Sequence, residues 1–127
     1  MLINDAHVWF ARFESEDALE EYMEETYDED DEDAPISRFA ADQGASFYDH
    51  DLVYAQFEEQ PDPGKLLGGW GFPEEAVQRV IEAVTKHNVS GANVCIVADK
   101  DEFSGPKSVQ GEGYELWYIG QFDGCSS

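Results

Sequence analysis

Ala6-His7-Val8-Trp9-Phe10-Ala11-Arg12-Phe13 is the stretch that decides the fold. Its length and its aromatic and aliphatic content predict a strand. Alternation places Trp9, Ala11 and Phe13 on one face and Val8, Phe10 and Arg12 on the other. Both faces are largely apolar, so the strand is expected inside a sheet and covered on two sides. The far end of the chain carries a similar run, Tyr118-Ile119-Gly120-Gln121-Phe122, within a strand expected over Glu115 to Phe122. The two are expected side by side, although shared strand propensity explains the likeness about as well. Ala92 to Ala98 (ANVCIVA) is nearly all apolar and reads as a buried strand. Residues 51–57 predict a fourth strand, with a helix as the rival reading.

Two helices go with this sheet. Ser15 is an N-cap, with Glu16 and Asp17 in the first turn, where acids complement the helix dipole. Leu19, Tyr22, Met23 and Thr26 recur at helical spacing and predict an amphipathic helix over 16–27. Its opposite face carries Glu20, Glu21, Glu24 and Glu25. Carboxylates near a helix C-terminus oppose the dipole, so packing must offset them. The second helix begins at Pro73, in the first helical position, with Glu74 and Glu75 behind it. Val77, Val80, Ile81 and Val84 form its stripe, Lys86 and His87 suit its C-terminus, and Asn88 can close it. Residues 37–43 predict one or two further helical turns, capped by Ser37 and ended by Gly44. The expected architecture is a single α+β domain, 1–127, with a sheet of about four strands packed by two main helices.

Between the predicted helices lies Asp28-Glu29-Asp30-Asp31-Glu32-Asp33, six acids in a row, in a loop over 28–35 that Pro35 ends. Such a block repels itself and is expected to be extended and solvated. Ca²⁺ would need spaced ligands and a turn glycine, which the run lacks. Over the whole chain, 29 acids face 7 Lys and Arg, for a net charge of −22. Like charges repel, so this excludes direct binding to nucleic acid or to an anionic membrane as the first expectation. It favours a basic partner that associates fast and with marked salt dependence. Acidic surfaces also serve halophilic adaptation.

The densest mix of reactive side chains is Ser37 to Asp51, SRFAADQGASFYDHD. Asp49-His50-Asp51 could hold an acid–base histidine or a metal, or these side chains could cap turns. In a strand His50 would face away from both aspartates, which spoils a three-ligand site. No HExxH, CxxC or Gly-x-Ser-x-Gly is present, so neither a catalytic residue nor a cofactor is expected. Gly68-Gly69-Trp70-Gly71-Phe72 lacks the spacing of a phosphate loop and reads as a loop with a Trp anchor. His7 and His87 have ordinary readings as a strand residue and a helix C-terminal cation. Cys95 lies in an apolar run and Cys125 has no evident partner, so no disulfide framework is expected. Met1 to Asp5 lacks the features of a signal peptide and no run reaches membrane-spanning length, which predicts a soluble cytoplasmic protein.

The order of strand, acidic helix and acidic loop over residues 7–51, with the segments FAADQG and FYDHD, resembles the immunity protein 22 family. The likeness continues more loosely through the second helix, ANVCIVA and LWYIGQFD. The resemblance implies an α+β bacterial protein encoded beside a polymorphic toxin of the contact-dependent inhibition kind, whose effector domain it binds and neutralises. Such effectors are often nucleases with basic substrate-binding surfaces, which agrees with the partner inferred from charge. The residues matching the distinctive segments are Phe39, Asp42, Gln43, Gly44, Tyr48, Asp49, His50 and Asp51, and the resemblance assigns none of them a catalytic role. The expected partner-binding set is Glu20, Glu21, Glu24, Glu25, Asp28, Asp30, Asp31, Asp33, Asp42, Tyr48, Asp49, His50 and Asp51, with Tyr48 or Tyr27 as an aromatic anchor. Two other readings stay open. One is a nucleic-acid mimic that captures a DNA- or RNA-binding regulator. The other is a metal-dependent enzyme built on Asp49, His50 and Asp51.

Overall fold

The structure is a computed structural model and describes residues 4–27, 29–31, 33–58, 72–89 and 91–123. Strands β1 (Ala6–Phe13), β2 (Val53–Phe57), β3 (Val94–Asp99), β4 (Val109–Gly111) and β5 (Tyr114–Phe122) form one sheet in the order β2-β3-β1-β5-β4. Every neighbouring pair is antiparallel. Helices α1 (Glu16–Met23), α2 (Arg38–Asp42) and α3 (Glu74–Lys86) complete an α+β fold. The sheet has five strands rather than about four. The extra one is β4, three residues that fold back on β5 out of the segment 99–113 expected as a loop or irregular hairpin.

β1 is central, as its two apolar faces require, and β5 lies beside it. Their register shifts between Val8 and Trp9, where Ile119 is the additional residue on β5. Gly120 follows it at φ 141°, a backbone that side chains rarely adopt. On the other side, Asn93 extends the pairing of β1 with β3. Its Nδ2 donates to the Phe13 carbonyl at 2.8 Å, and its Oδ1 accepts from the Phe13 N–H at 3.0 Å. The side-chain amide thus acts as one more rung of the ladder.

The two faces of the sheet are covered differently. Ala6, Val8, Phe10, Cys95 and Val97 point to one face and meet Ala76, Val80 and Val84 of α3. Trp9, Ala11, Phe13, Val94, Ile96 and Ala98 point to the other and meet Leu19 and Tyr22 of α1, Phe39 of α2, and Tyr48 and Phe103 from the connections. α3 ends as its sequence predicts. Asn88 takes φ 55° and its N–H donates to the Thr85 carbonyl. Pro73 is the residue just before the helix rather than its first. Cys95 is fully buried, and desolvation pushes its thiol well up from the ordinary value.

α1 is shorter than the 16–27 expected. It stops at Met23, and Glu24 leaves helical geometry at φ −59°, ψ 127°. Two causes act together. The carboxylates of Glu20, Glu21, Glu24 and Glu25 crowd the negative end of the dipole. Thr26 N–H finds another acceptor, the Ile36 carbonyl at 2.6 Å. Among the described residues, no helix is long and apolar enough to cross a membrane. The readings of residues 60–64, 66–71 and Cys125, including the Trp70 anchor, lie outside the described residues.

Candidate acidic interface

α1 presents the first carboxylate surface. Ser15 Oγ accepts from the Ala18 N–H at 3.1 Å and fixes the start of the helix. Leu19 and Tyr22 face the core, and the helix turns Asp17, Glu20, Glu21 and Glu24 outward. These four line a shallow recess that no cation shares among the described residues. Glu21 also borders a second recess of about 340 Å³ beside Glu14, Arg38, Glu112, Tyr22 and Tyr114.

The second surface forms where the exit of α1 meets residues 49–51. The expected strand begins only at Val53; His50–Leu52 is a 3-10 turn instead. Asp49 makes that turn. Its side chain accepts from the Asp51 N–H at 3.0 Å and its carbonyl from the Leu52 N–H. Its own N–H donates to Glu102 Oε1 at 2.9 Å. The turn overturns the expected separation of the trio by strand alternation. Among the described residues, Asp49, His50 and Asp51 bring one ligand atom each within 4.8 Å of one another, and all three are exposed. Ligands so open to water leave an ion mostly hydrated, so the geometry favours weak contact over a built metal site. His50 Nε2 lies 3.2 Å from Asp51 Oδ1 and Nδ1 lies 4.0 Å from Glu25 Oε1. That places Glu25 from the end of α1 beside the 49–51 turn.

The acidic loop follows the exit of α1 in the chain. Its base is the hydrogen bond from Thr26 to Ile36. Glu29, Asp30, Asp31 and Asp33 are exposed, and Asp28 lies outside the described residues. The run is not fully extended. Asp31 Oδ1 accepts from the Asp33 N–H, and its carbonyl accepts from the Ala34 N–H, so it forms a turn.

Two expected contact residues are part of the scaffold. Tyr48 is buried, packed on Phe39 and Phe103, with its hydroxyl 3.2 Å from Ser37 Oγ. It cannot anchor a partner without leaving the core, which corrects the expectation of a surface role. Asp42 Oδ2 accepts from Tyr22 Oη at 2.8 Å and from Tyr114 Oη at 2.6 Å. Burial first, and then the Asp42 hydrogen bond and charge, raise both phenols, Tyr22 strongly and Tyr114 to about 12. Gln43 is also buried. Its amide makes a two-way pair with Lys107, donating to the carbonyl at 3.0 Å and accepting from the N–H at 2.7 Å. The segment FAADQG is therefore a hub for the aromatic face, and the carboxylates around it form the surface.

Sequence reasoning missed Phe47. It is 61% exposed and Tyr27 is 62%, and they are the exposed large hydrophobic residues among those described. The available signal was alternation in an extended segment: with Tyr48 inward, Phe47 points outward.

A sequence model described as Immunity protein 22 matches residues 6–123. No curated protein and no solved structure matches the chain. The match spans both faces of the sheet and every acidic segment above. Immunity proteins, as a group, inhibit toxins. The chain belongs to the immunity protein 22 family.

Proposed function

We propose that this protein binds the effector domain of a co-encoded polymorphic toxin, in the cytoplasm of the producing bacterium, and neutralises it by occupancy rather than by catalysis. The effector is a nuclease whose cationic substrate cleft takes the acidic face in place of nucleic acid. One observation carries this reading. Carboxylates of α1, of Glu29, Asp30, Asp31 and Asp33, and of the 49–51 turn are exposed, and the approach of Glu25 to His50 joins the exit of α1 to that turn. The partner-binding set is Glu20, Glu21, Glu24, Glu25, Asp28, Asp30, Asp31, Asp33, Asp49, His50 and Asp51. The scaffold residues Asp42 and Tyr48 act through the positions of these groups. Exposed charges set the association rate, so binding depends steeply on salt.

The test is capture from native cells at low salt, elution with a salt step, and assay of the eluted partner for nuclease activity. A basic nuclease domain, silenced at one-to-one stoichiometry and toxic when this protein is removed, is the expected result. Capture of a transcription or repair protein instead would replace this reading with that of a nucleic-acid mimic.

A further inference from the structure

Outside the main sheet, single backbone hydrogen bonds join Thr26 and Ser46 to Ile36. Thr26 N–H donates to the Ile36 carbonyl at 2.6 Å, and Ile36 N–H donates to the Ser46 carbonyl at 3.1 Å. Ile36 in the middle is buried. Thr26 and Ser46 are thus tied to one buried residue through its own carbonyl and N–H. The residues that follow Thr26 and Ser46 are Tyr27 and Phe47, the exposed large hydrophobics among the described residues. Tyr27 is not loose, because its hydroxyl donates to Glu25 Oε1 at 2.8 Å. That hydrogen bond to Glu25, and after it desolvation and the charges of Glu25 and Asp49, raise the Tyr27 phenol. Tyr48, next in the chain after Phe47, packs on Phe39 and Phe103.

We propose that Tyr27 and Phe47 are the anchors of the protein's docking surface, and that they receive a basic protein surface whose Lys or Arg side chains lie over the two rings. This rests on the toxin-binding reading and identifies the centre of that interface. Charge complementarity selects the occupant. Tyr27 lies beside Glu25 and Asp49, Phe47 is two residues from Asp49, and an acidic segment follows Tyr27 in a chain of net charge −22. Aromatic faces attract cations, and a carboxylate rim reinforces that attraction. Interfaces of this kind divide the work. Central aromatics that exclude water govern dissociation, while rim charges govern encounter. The carboxylates of α1 belong to the rim, and Tyr27 and Phe47 to the centre.

The test uses the effector domain encoded beside this chain, in a catalytically inactive form, and measures association and dissociation separately. Tyr27→Ala with Phe47→Ala is expected to speed dissociation about 30-fold and to leave the association rate and its salt slope near wild type. Glu20→Lys with Glu24→Lys is expected to do the reverse, slowing association with little change in dissociation. Because both rings are exposed, the double alanine variant should keep the wild-type melting temperature. If it does not, Phe47→Lys alone is expected to give the same rise in dissociation. Wild-type dissociation in both ring variants overturns this proposal and leaves the toxin-binding reading standing. A wild-type protein that does not bind the effector overturns both.

Discussion

The two faces of the sheet use opposite means of covering it. The α3 face is regular and mainly aliphatic where the helix meets the sheet: Val8, Val97, Val80 and Val84 pack with Phe10 along one 13-residue helix. The opposite face is aromatic and irregular: Trp9, Phe39, Phe103, Tyr48, Tyr22 and Tyr114 pack edge to face or tilted, under two short helices and long connections. Valine stripes need only a helix of matching period. Short segments leave backbone groups that must be satisfied individually, so this face also contains polar bonds. Trp9 Nε1 and Gln43 Nε2 both donate to the Lys107 carbonyl, and Asp42 joins two tyrosines. The contrast teaches a division of labour. One face supplies a conventional core. The other holds irregular acidic chain in fixed positions, and it is the one that carries the proposed docking surface.

The largest expected effect sets the faces against each other. Phe39→Ala removes a fully buried ring touching Trp9, Tyr22, Tyr48 and Phe103, and should cost about 3–5 kcal/mol in urea unfolding. Val80→Ala on the α3 face should cost about 2 kcal/mol. Only the first should weaken near-ultraviolet circular dichroism. Equal costs and equal spectra would dissolve the distinction between the faces. Next is Gln43→Ala, expected to cost about 1–3 kcal/mol because it leaves the Lys107 N–H without its side-chain acceptor and the Lys107 carbonyl with Trp9 Nε1 alone. Hydrogen exchange should locate that loss at Lys107, while the α3 amides keep their protection.

Alkaline titration sharpens the comparison further. Tyr22 and Tyr114 have phenols raised in the fold, so the unfolded chain releases their protons first. The stability they contribute is whole below the ordinary tyrosine value near 10 and is lost as pH rises through about 12 for Tyr114. Replacing both with Phe should flatten the fall in melting temperature above about pH 10. The smallest effect is expected from Glu20→Lys with Glu24→Lys, which should leave folding within about 0.5 kcal/mol of wild type, since these side chains are exposed. A larger change would mean that α1 is scaffold as well as surface.

Local signals made much of this architecture legible. Two apolar faces placed β1 at the centre, Ser37 and Gly44 bracketed α2, and Asn88 closed α3. What escaped the reading was set by distant parts of the chain. β4 is too short for a pattern, and it exists because Gly111 lets the Tyr114 ring lie directly over its backbone, where a Cβ would collide. α1 ends early because Ile36 takes the Thr26 N–H. Asp49-His50-Asp51 looked like alternating strand residues until the Asp49 side chain wound them into a turn. Acid content pointed to the surface of the candidate site. It could not separate Asp42 and Tyr48, which hold the scaffold, from the exposed carboxylates around them.

The shared acceptor at Asp42 has a consequence for time rather than for equilibrium. Its two tyrosine partners lie 20 and 72 residues away in sequence, so the junction forms only after both loops have closed. A contact that needs both closures is expected to form after the folding transition state. Its energy therefore stands in the barrier to unfolding. Asp42→Ala should leave the refolding rate in place and shorten the lifetime of the native state. What that one carboxylate oxygen determines is how long the acidic segments stay where the fold has put them.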